Sequence, residues 1–134
     1  MKLSKKMIAV FMAVIMTLSI GTIAAFATPK SDTVTAGGHS ALCTLNSSSK
    51  YQAIAATTST YSFDYIYAYV VGARVDKNGD NAKYIGNTAE QTDYWKSGDA
   101  KITASSPYWF KNISSVHMVK EGSASDATNL EIHY

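Results

Sequence analysis

The chain has 134 residues, one cysteine, and 12 lysines and arginines against 10 aspartates and glutamates, a net charge of +2. That length suits one domain with a modest core. The charge argues against a nucleic-acid partner and against tight adhesion to anionic lipid, and a lone thiol excludes an intramolecular disulfide.

The N-terminus reads as an export signal. Lys2, Lys5 and Lys6 precede an uncharged, mostly apolar run over residues 7–20, and Ala25-Phe26-Ala27 supplies an A-x-A cleavage pattern before Thr28. A retained spanning helix wants about 20 apolar residues, and this run is shorter, with Thr17 and Ser19 near its end. The layout resembles bacterial secretory signals of the Gram-positive kind. Cleavage would leave 107 of the 134 residues with no membrane span. With three lysines removed, 9 basic residues stand against 10 acidic ones, a net charge of −1. The basicity therefore belongs to the signal, and the expected location is extracellular.

Residues 28–38 are polar, with Pro29 and Gly37-Gly38, and read as a flexible leader to one domain over 39–134. From Ser40 onward, short apolar runs are separated by polar clusters, the texture of β-strands. Residues 40–45 form the first expected strand. Cys43 lies in it beside Ala41, Leu42 and Leu45, so it reads as a buried core residue and the protein as a monomer rather than a disulfide-linked dimer. After a loop over 46–50, residues 51–58 return as a second strand.

Residues 61–75 carry the clearest alternation. One face holds Tyr61, Phe63, Tyr65, Tyr67, Tyr69, Val71, Ala73 and Val75; the other holds Ser62, Asp64, Ile66, Ala68, Val70, Gly72 and Arg74. Residues 76–80, Asp-Lys-Asn-Gly-Asp, are a turn. A two-residue Asn78-Gly79 loop would set Arg74 opposite Lys83, two like charges. A three-residue loop would pair Val71 with Ile85 and Gly72 with Tyr84, with Asp76 first and Gly79 fourth in a type I turn, and this register is favoured. Residues 83–87 return, 96–99 read as a turn, and 100–104 as a strand. Tyr108-Trp109-Phe110 is an aromatic cluster. Residues 116–120 form a strand, 121–129 a long polar loop and 130–134 the last strand. The sum is an all-β fold, a small antiparallel sandwich or partly open barrel of about seven or eight strands.

Motifs that name a reaction are missing. Asp76, Asn78 and Asp80 alternate as calcium ligands do, yet the glycine and glutamate positions of a calcium loop hold Asn81 and Asn87; the simpler reading is the turn. His39, His117 and His133 lack the short spacing of a zinc site, and His117 and His133 read as outward strand positions. No Gly-x-Ser-x-Gly elbow accompanies the serines. No enzyme, cofactor or metal is expected.

The aromatic residues remain. Tyr65, Tyr67 and Tyr69, with Trp109, are the candidate ligand platform, since such rings stack on sugars or dock proteins. Whether the tyrosine row is core or surface is open at this level, although Ile66, Ala68 and Val70 already offer an apolar face to bury. The reading is a secreted protein that binds an extracellular or cell-envelope ligand, glycan or protein. A bacteriocin-like toxin is the alternative, and a small extracellular hydrolase a weaker one.

Overall fold

A computed structural model of the chain describes residues 27–134. The expected signal peptide over 1–27 lies outside this range, apart from Ala27. Among the described residues every regular element is a strand. They are β1 (Lys30–Ala36), β2 (His39–Ser49), β3 (Gln52–Val75), β4 (Lys83–Thr103), β5 (Trp109–Glu121) and β6 (Ala124–His133).

All pairings are antiparallel. The path through the sheet is β1-β2-β3-β5-β6, and β4 lies against β3. β3 is the spine: β2 pairs with its first half, β5 with its second, and β4 with nearly its whole length. A strand this long must fold back on itself to make a globule. It does so: Phe110 N–H at the start of β5 donates to the Lys50 carbonyl at 2.7 Å, bringing the far end of β3 beside its beginning. One seam is closed by side chains between β1 and β6. Thr35 N–H donates to Asp126 Oδ2 at 2.8 Å, and Thr128 Oγ1 donates to Asp32 Oδ2. At the other seam Asn87 Nδ2 donates to the Lys101 carbonyl at 3.1 Å, joining the two ends of β4. The sheet is thus nearly closed into a barrel.

The six strands correct the expected seven or eight. Residues 51–58 and 61–75 run together as β3 because the polar stretch between them stays in the sheet: Ser59 Oγ donates to the Ser40 carbonyl at 2.7 Å. Residues 96–99 are not a turn but part of β4. Gly98 is buried there, and a Cβ on it would lie 3.2 Å from Ile66 Cγ2, so the glycine permits close approach rather than reversal. Residues 28–38 are not a flexible leader, for they contain β1. Its polar look reflects alternation, with Val34 and Ala36 buried and Thr33 and Thr35 on the opposite face. The domain therefore starts at β1 rather than at residue 39. Gly37 and Gly38, with φ of 58° and 79°, form the two-residue turn from β1 to β2, which requires positive φ at both positions. Residues 121–129 hold a tight turn at Gly122-Ser123 and most of β6, where Ile132 is the buried residue.

The β3–β4 register also differs from the favoured one. Val71 pairs with Gly86, Gly72 with Ile85 and Arg74 with Lys83, so the two like charges do face each other. The expected turn is nevertheless present inside a longer loop, with Gly79 N–H donating to the Asp76 carbonyl at 3.0 Å and Gly79 at φ 83°.

Burial along β3 changes parity at its middle. Ala53, Ala55, Thr57 and Phe63 point inward; beyond, the inward set is Ile66, Ala68, Val70 and Gly72. The switch falls where the β4 register shifts, between Phe63 and Tyr65. Opposite it, Asp93 and Tyr94 have φ of 68° and 69°. A one-residue bulge exchanges the faces of everything that follows. Past it, Tyr65, Tyr67 and Tyr69 lie on the outer face.

Candidate functional site

The tyrosine row is therefore surface and not core. Tyr65, Tyr67 and Tyr69 are each half-buried, while Ile66, Ala68 and Val70 between them are fully buried. Across β5 their partners are Lys120, Met118 and Val116; across β4 they are Thr92, Glu90 and Thr88. The rings of Tyr65 and Tyr67 are parallel within 9°, with centroids 6.2 Å apart, close to the roughly 6.6 Å repeat of alternate strand residues. The Lys120 ammonium lies 4.8 Å from the Tyr65 centroid, a cation–π contact. Tyr69 reaches over Gly86, where a Cβ would meet the phenol oxygen at 2.7 Å; the absent side chain is what lets this ring lie down. Partial burial, followed by the charge and hydrogen bonding of Glu90, raises the Tyr65 pKa above the usual tyrosine value. The phenol stays protonated and keeps its donor. The row thus offers three aromatic faces flanked by one ammonium and one carboxylate.

Trp109 does not join that platform. It pairs with Val75, six residues along β3 from Tyr69, or about 20 Å of strand. It belongs to a second group at the turn end of the molecule. Lys50 lies 5.0 Å from its ring and 5.6 Å from that of Tyr51. Beside this group is a cavity of about 220 Å³ lined by Arg74, Asp76, Asn81, Lys83 and Tyr108. The Arg74 guanidinium is 4.9 Å from the Tyr108 centroid. Sequence reasoning missed Arg74, Lys83 and Tyr108. The signal was the like-charge register itself, which argued against the pairing instead of for a site.

The acidic turn is engaged with itself. Asp76 Oδ1 accepts from Asn78 N–H at 2.9 Å and Asp80 N–H at 3.1 Å, and Oδ2 accepts from Asn81 Nδ2 at 2.8 Å. These bonds, the Asn81 amide first, hold the carboxyl below the usual carboxylate range. Asp76, Asn78 and Asp80 form a turn capped by a side chain. Among the described residues no group of three histidines, cysteines or carboxylates is placed to hold a metal ion.

The histidines do not gather. His39 lies on the Tyr61 ring, with centroids 3.5 Å apart. His133 is exposed and bonds Asn112 Oδ1 at 2.9 Å. His117, expected outward, is fully buried, because 113, 115, 117 and 119 make the inner face of β5. Burial of an imidazole is tolerable when both nitrogens are bonded. The Thr57 hydroxyl donates to the Tyr67 carbonyl at 2.8 Å, so Thr57 Oγ1 must accept from His117 Nδ1–H at 2.9 Å. Nε2 then accepts from Ser115 Oγ at 2.8 Å. The ring is neutral, and desolvation depresses its pKa to about 4 against an opposing pull from Asp32. Cys43 is buried in the same region. Desolvation, then the charge of Asp32, pushes its thiol up to about 12, leaving it protonated and unreactive.

No protein-family model matches this chain, and no curated protein or solved structure matches it.

Proposed function

We propose that this is an exported protein that acts by binding, with the outer face of β3 and β5 serving as an aromatic platform for an extracellular or cell-envelope glycan. The observation that supports this reading is the outward row of Tyr65, Tyr67 and Tyr69 over a core already filled by Ile66, Ala68 and Val70. Half-exposed phenol rings combine apolar area with a polar tip. That combination suits sugar rings, which have an apolar face and hydroxyl edges. Lys120 and Glu90 supply hydrogen-bonding groups at the border of the row.

The test is retention on immobilised polysaccharides by the purified protein and by a Tyr65→Ser, Tyr67→Ser double variant. The double variant should lose retention and keep a cooperative melt. Undiminished retention, or loss of the fold itself, would overturn the platform. Export is checked by intact mass: the species in culture medium should begin at Thr28.

A further inference from the structure

We propose that copies of this protein associate end to end, the turn end of one barrel against the opposite end of the next. The contact uses the two poles of the barrel and is independent of any ligand on its side wall.

The ladders define the poles. At the turn end lie residues 50–51, 76–82 and 104–108. They are drawn together where Val75 pairs with Trp109, where Phe110 N–H reaches the Lys50 carbonyl, and where Ala104 N–H donates to the Tyr51 carbonyl at 2.8 Å. At the bend end lie the turns at Gly37-Gly38 and Gly122-Ser123, with the folds of β3 and β4 where Phe63 pairs with Trp95. There the Tyr61 hydroxyl donates to Glu121 Oε1 at 3.0 Å, and Gly122 N–H donates to Asp64 Oδ2 at 2.8 Å.

The first observation is how charge divides between the poles. Among the described residues nine are lysine or arginine and ten are aspartate or glutamate. By ladder position only Lys96 and Lys120 of the nine cations lie toward the bend end, and the other seven lie toward the turn end. Asp76, Asp80 and Glu131 are the carboxylates toward the turn end, and Asp32 sits near the middle. The remaining six, Asp64, Glu90, Asp93, Asp99, Glu121 and Asp126, lie toward the bend end. The turn half therefore carries a net charge of +4 and the bend half −4. A nearly neutral domain is thus a dipole along its barrel axis.

The second observation is where large rings meet solvent. The exposed ones on the described surface are Tyr51, Tyr84 and Tyr108 at the turn end and Tyr94 and Trp95 at the bend end. Aromatic rings of this kind are the anchors of protein interfaces. At the bend end the exposure comes with backbone strain. Asp93 and Tyr94 hold φ of 68° and 69°, values that non-glycine residues adopt at a cost and that cluster at functional positions. The Tyr94 side chain on that backbone is 69% exposed, so the cost yields no burial within one copy.

A second copy is the occupant that fits both poles at once. Its negative, ring-bearing bend end complements the positive, ring-bearing turn end in charge. Two like ends would oppose like charges, which suppresses a symmetric dimer. The contact is therefore head to tail. Because the two poles lie at opposite ends of one barrel, repeating it extends an open chain of copies.

The experiment is sedimentation equilibrium of the purified protein across concentration and salt. At low salt the weight-average mass should climb with concentration past the dimer, and it should return to the monomer as salt screens the poles. A monomer at every concentration in low salt, a mass that stops at the dimer, or an association that salt leaves unchanged would overturn the proposal. Variants at each pole test polarity. Lys83→Glu with Tyr84→Ser alters the turn end. Asp93→Asn with Tyr94→Asn alters the bend end, asparagine being chosen because it tolerates the left-handed backbone. Each double variant alone should sediment as a monomer. An equimolar mixture should form a dimer and nothing larger, because each partner keeps one intact pole. Assembly of either variant alone, or no dimer from two variants that both melt cooperatively, would overturn the head-to-tail contact. If a variant does not melt cooperatively, the salt and concentration series on the unaltered protein still decides.

Discussion

The two halves of β3 alternate equally cleanly and send different residues outward. In the first half, Ala53, Ala55 and Thr57 point inward while Gln52, Ile54, Ala56 and Thr58 face out. In the second half, Ile66, Ala68 and Val70 point inward while Tyr65, Tyr67 and Tyr69 face out. Both halves pair on two sides and both bury their inner set. Tyrosine is thus not needed for the strand or for the core, since the first half manages both with small side chains. The large rings on the second half are an addition to the fold, and this difference is the physical basis for looking for a ligand there. The halves are also tied together. Thr57 of the first half donates to the Tyr67 carbonyl of the second and accepts from His117, which pairs with Ala68.

The comparison can be broken most forcefully from inside. Ile66→Ala should cost about 2–5 kcal/mol by removing buried methyl groups and leaving a cavity. Ala55→Leu, its counterpart in the first half, should fail in the opposite sense, costing about 1–3 kcal/mol through overpacking. Urea denaturation checks both. If the two halves responded alike to truncation and enlargement, the packing contrast would be wrong.

The tie between the halves should be sensitive to acid. His117 is held neutral, with its pKa at about 4 against about 6.5 in the unfolded chain. The unfolded state therefore binds the extra proton between these values. Stability is fully present above pH 6.5 and falls as pH drops toward 4, by at most roughly 3 kcal/mol. Denaturation midpoints between pH 7 and 5 isolate this effect, because that window lies above the range in which Asp76 protonates. His117→Gln should flatten the curve there; an unflattened curve would remove His117 as its source.

The smallest effect is expected at the turn joining β3 to β4. Gly79→Val should cost about 1–2 kcal/mol, because a side chain disfavours the left-handed backbone that Gly79 adopts at φ 83°. A Cβ there would lie 3.5 Å from the Trp109 ring, an ordinary contact, so the strain is in the backbone alone. An unchanged midpoint would mean that the turn does not restrain the hairpin.

Legibility in the sequence followed locality. The all-β class, the alternation from Tyr65 onward, the left-handed Gly79 and the burial of Cys43 all rest on near neighbours, and each is seen in the structure, whereas the single pattern expected over 61–75 is broken between Phe63 and Tyr65. The face taken by the tyrosines does not rest on near neighbours, since it depends on a bulge created jointly by residues near 63–65 and by Asp93 and Tyr94 on another strand. β1 was hidden by its polar composition, although its ladder partner β2 follows directly after the Gly37-Gly38 turn; only its seam partners, Asp126 and Thr128, lie about 90 residues away. Similarly, Arg74 and Lys83 looked incompatible within the hairpin alone. The ring that accommodates the guanidinium, Tyr108, arrives from beyond the end of β4. Ser59 reads as an interruption between two strands, when in fact its hydroxyl bonds the Ser40 carbonyl inside the sheet.

The length of the β3–β4 ladder has a kinetic consequence. Its pairs begin at Arg74 with Lys83, 9 residues apart, and extend to Gln52 with Thr103, 51 apart. Each pair formed shortens the loop that the next must close, so the hairpin can zip outward from Asp76–Asp80 without a large entropic penalty at any one step. The seam between β1 and β6 has no such route, because its side-chain bonds join residues from opposite ends of the domain. It should close last. We therefore expect Gly79→Val to slow refolding in stopped-flow experiments, and Asp32→Ala, at the seam, to leave refolding unchanged and speed unfolding. If Asp32→Ala slowed refolding instead, the barrel would be closing around the hairpin rather than after it.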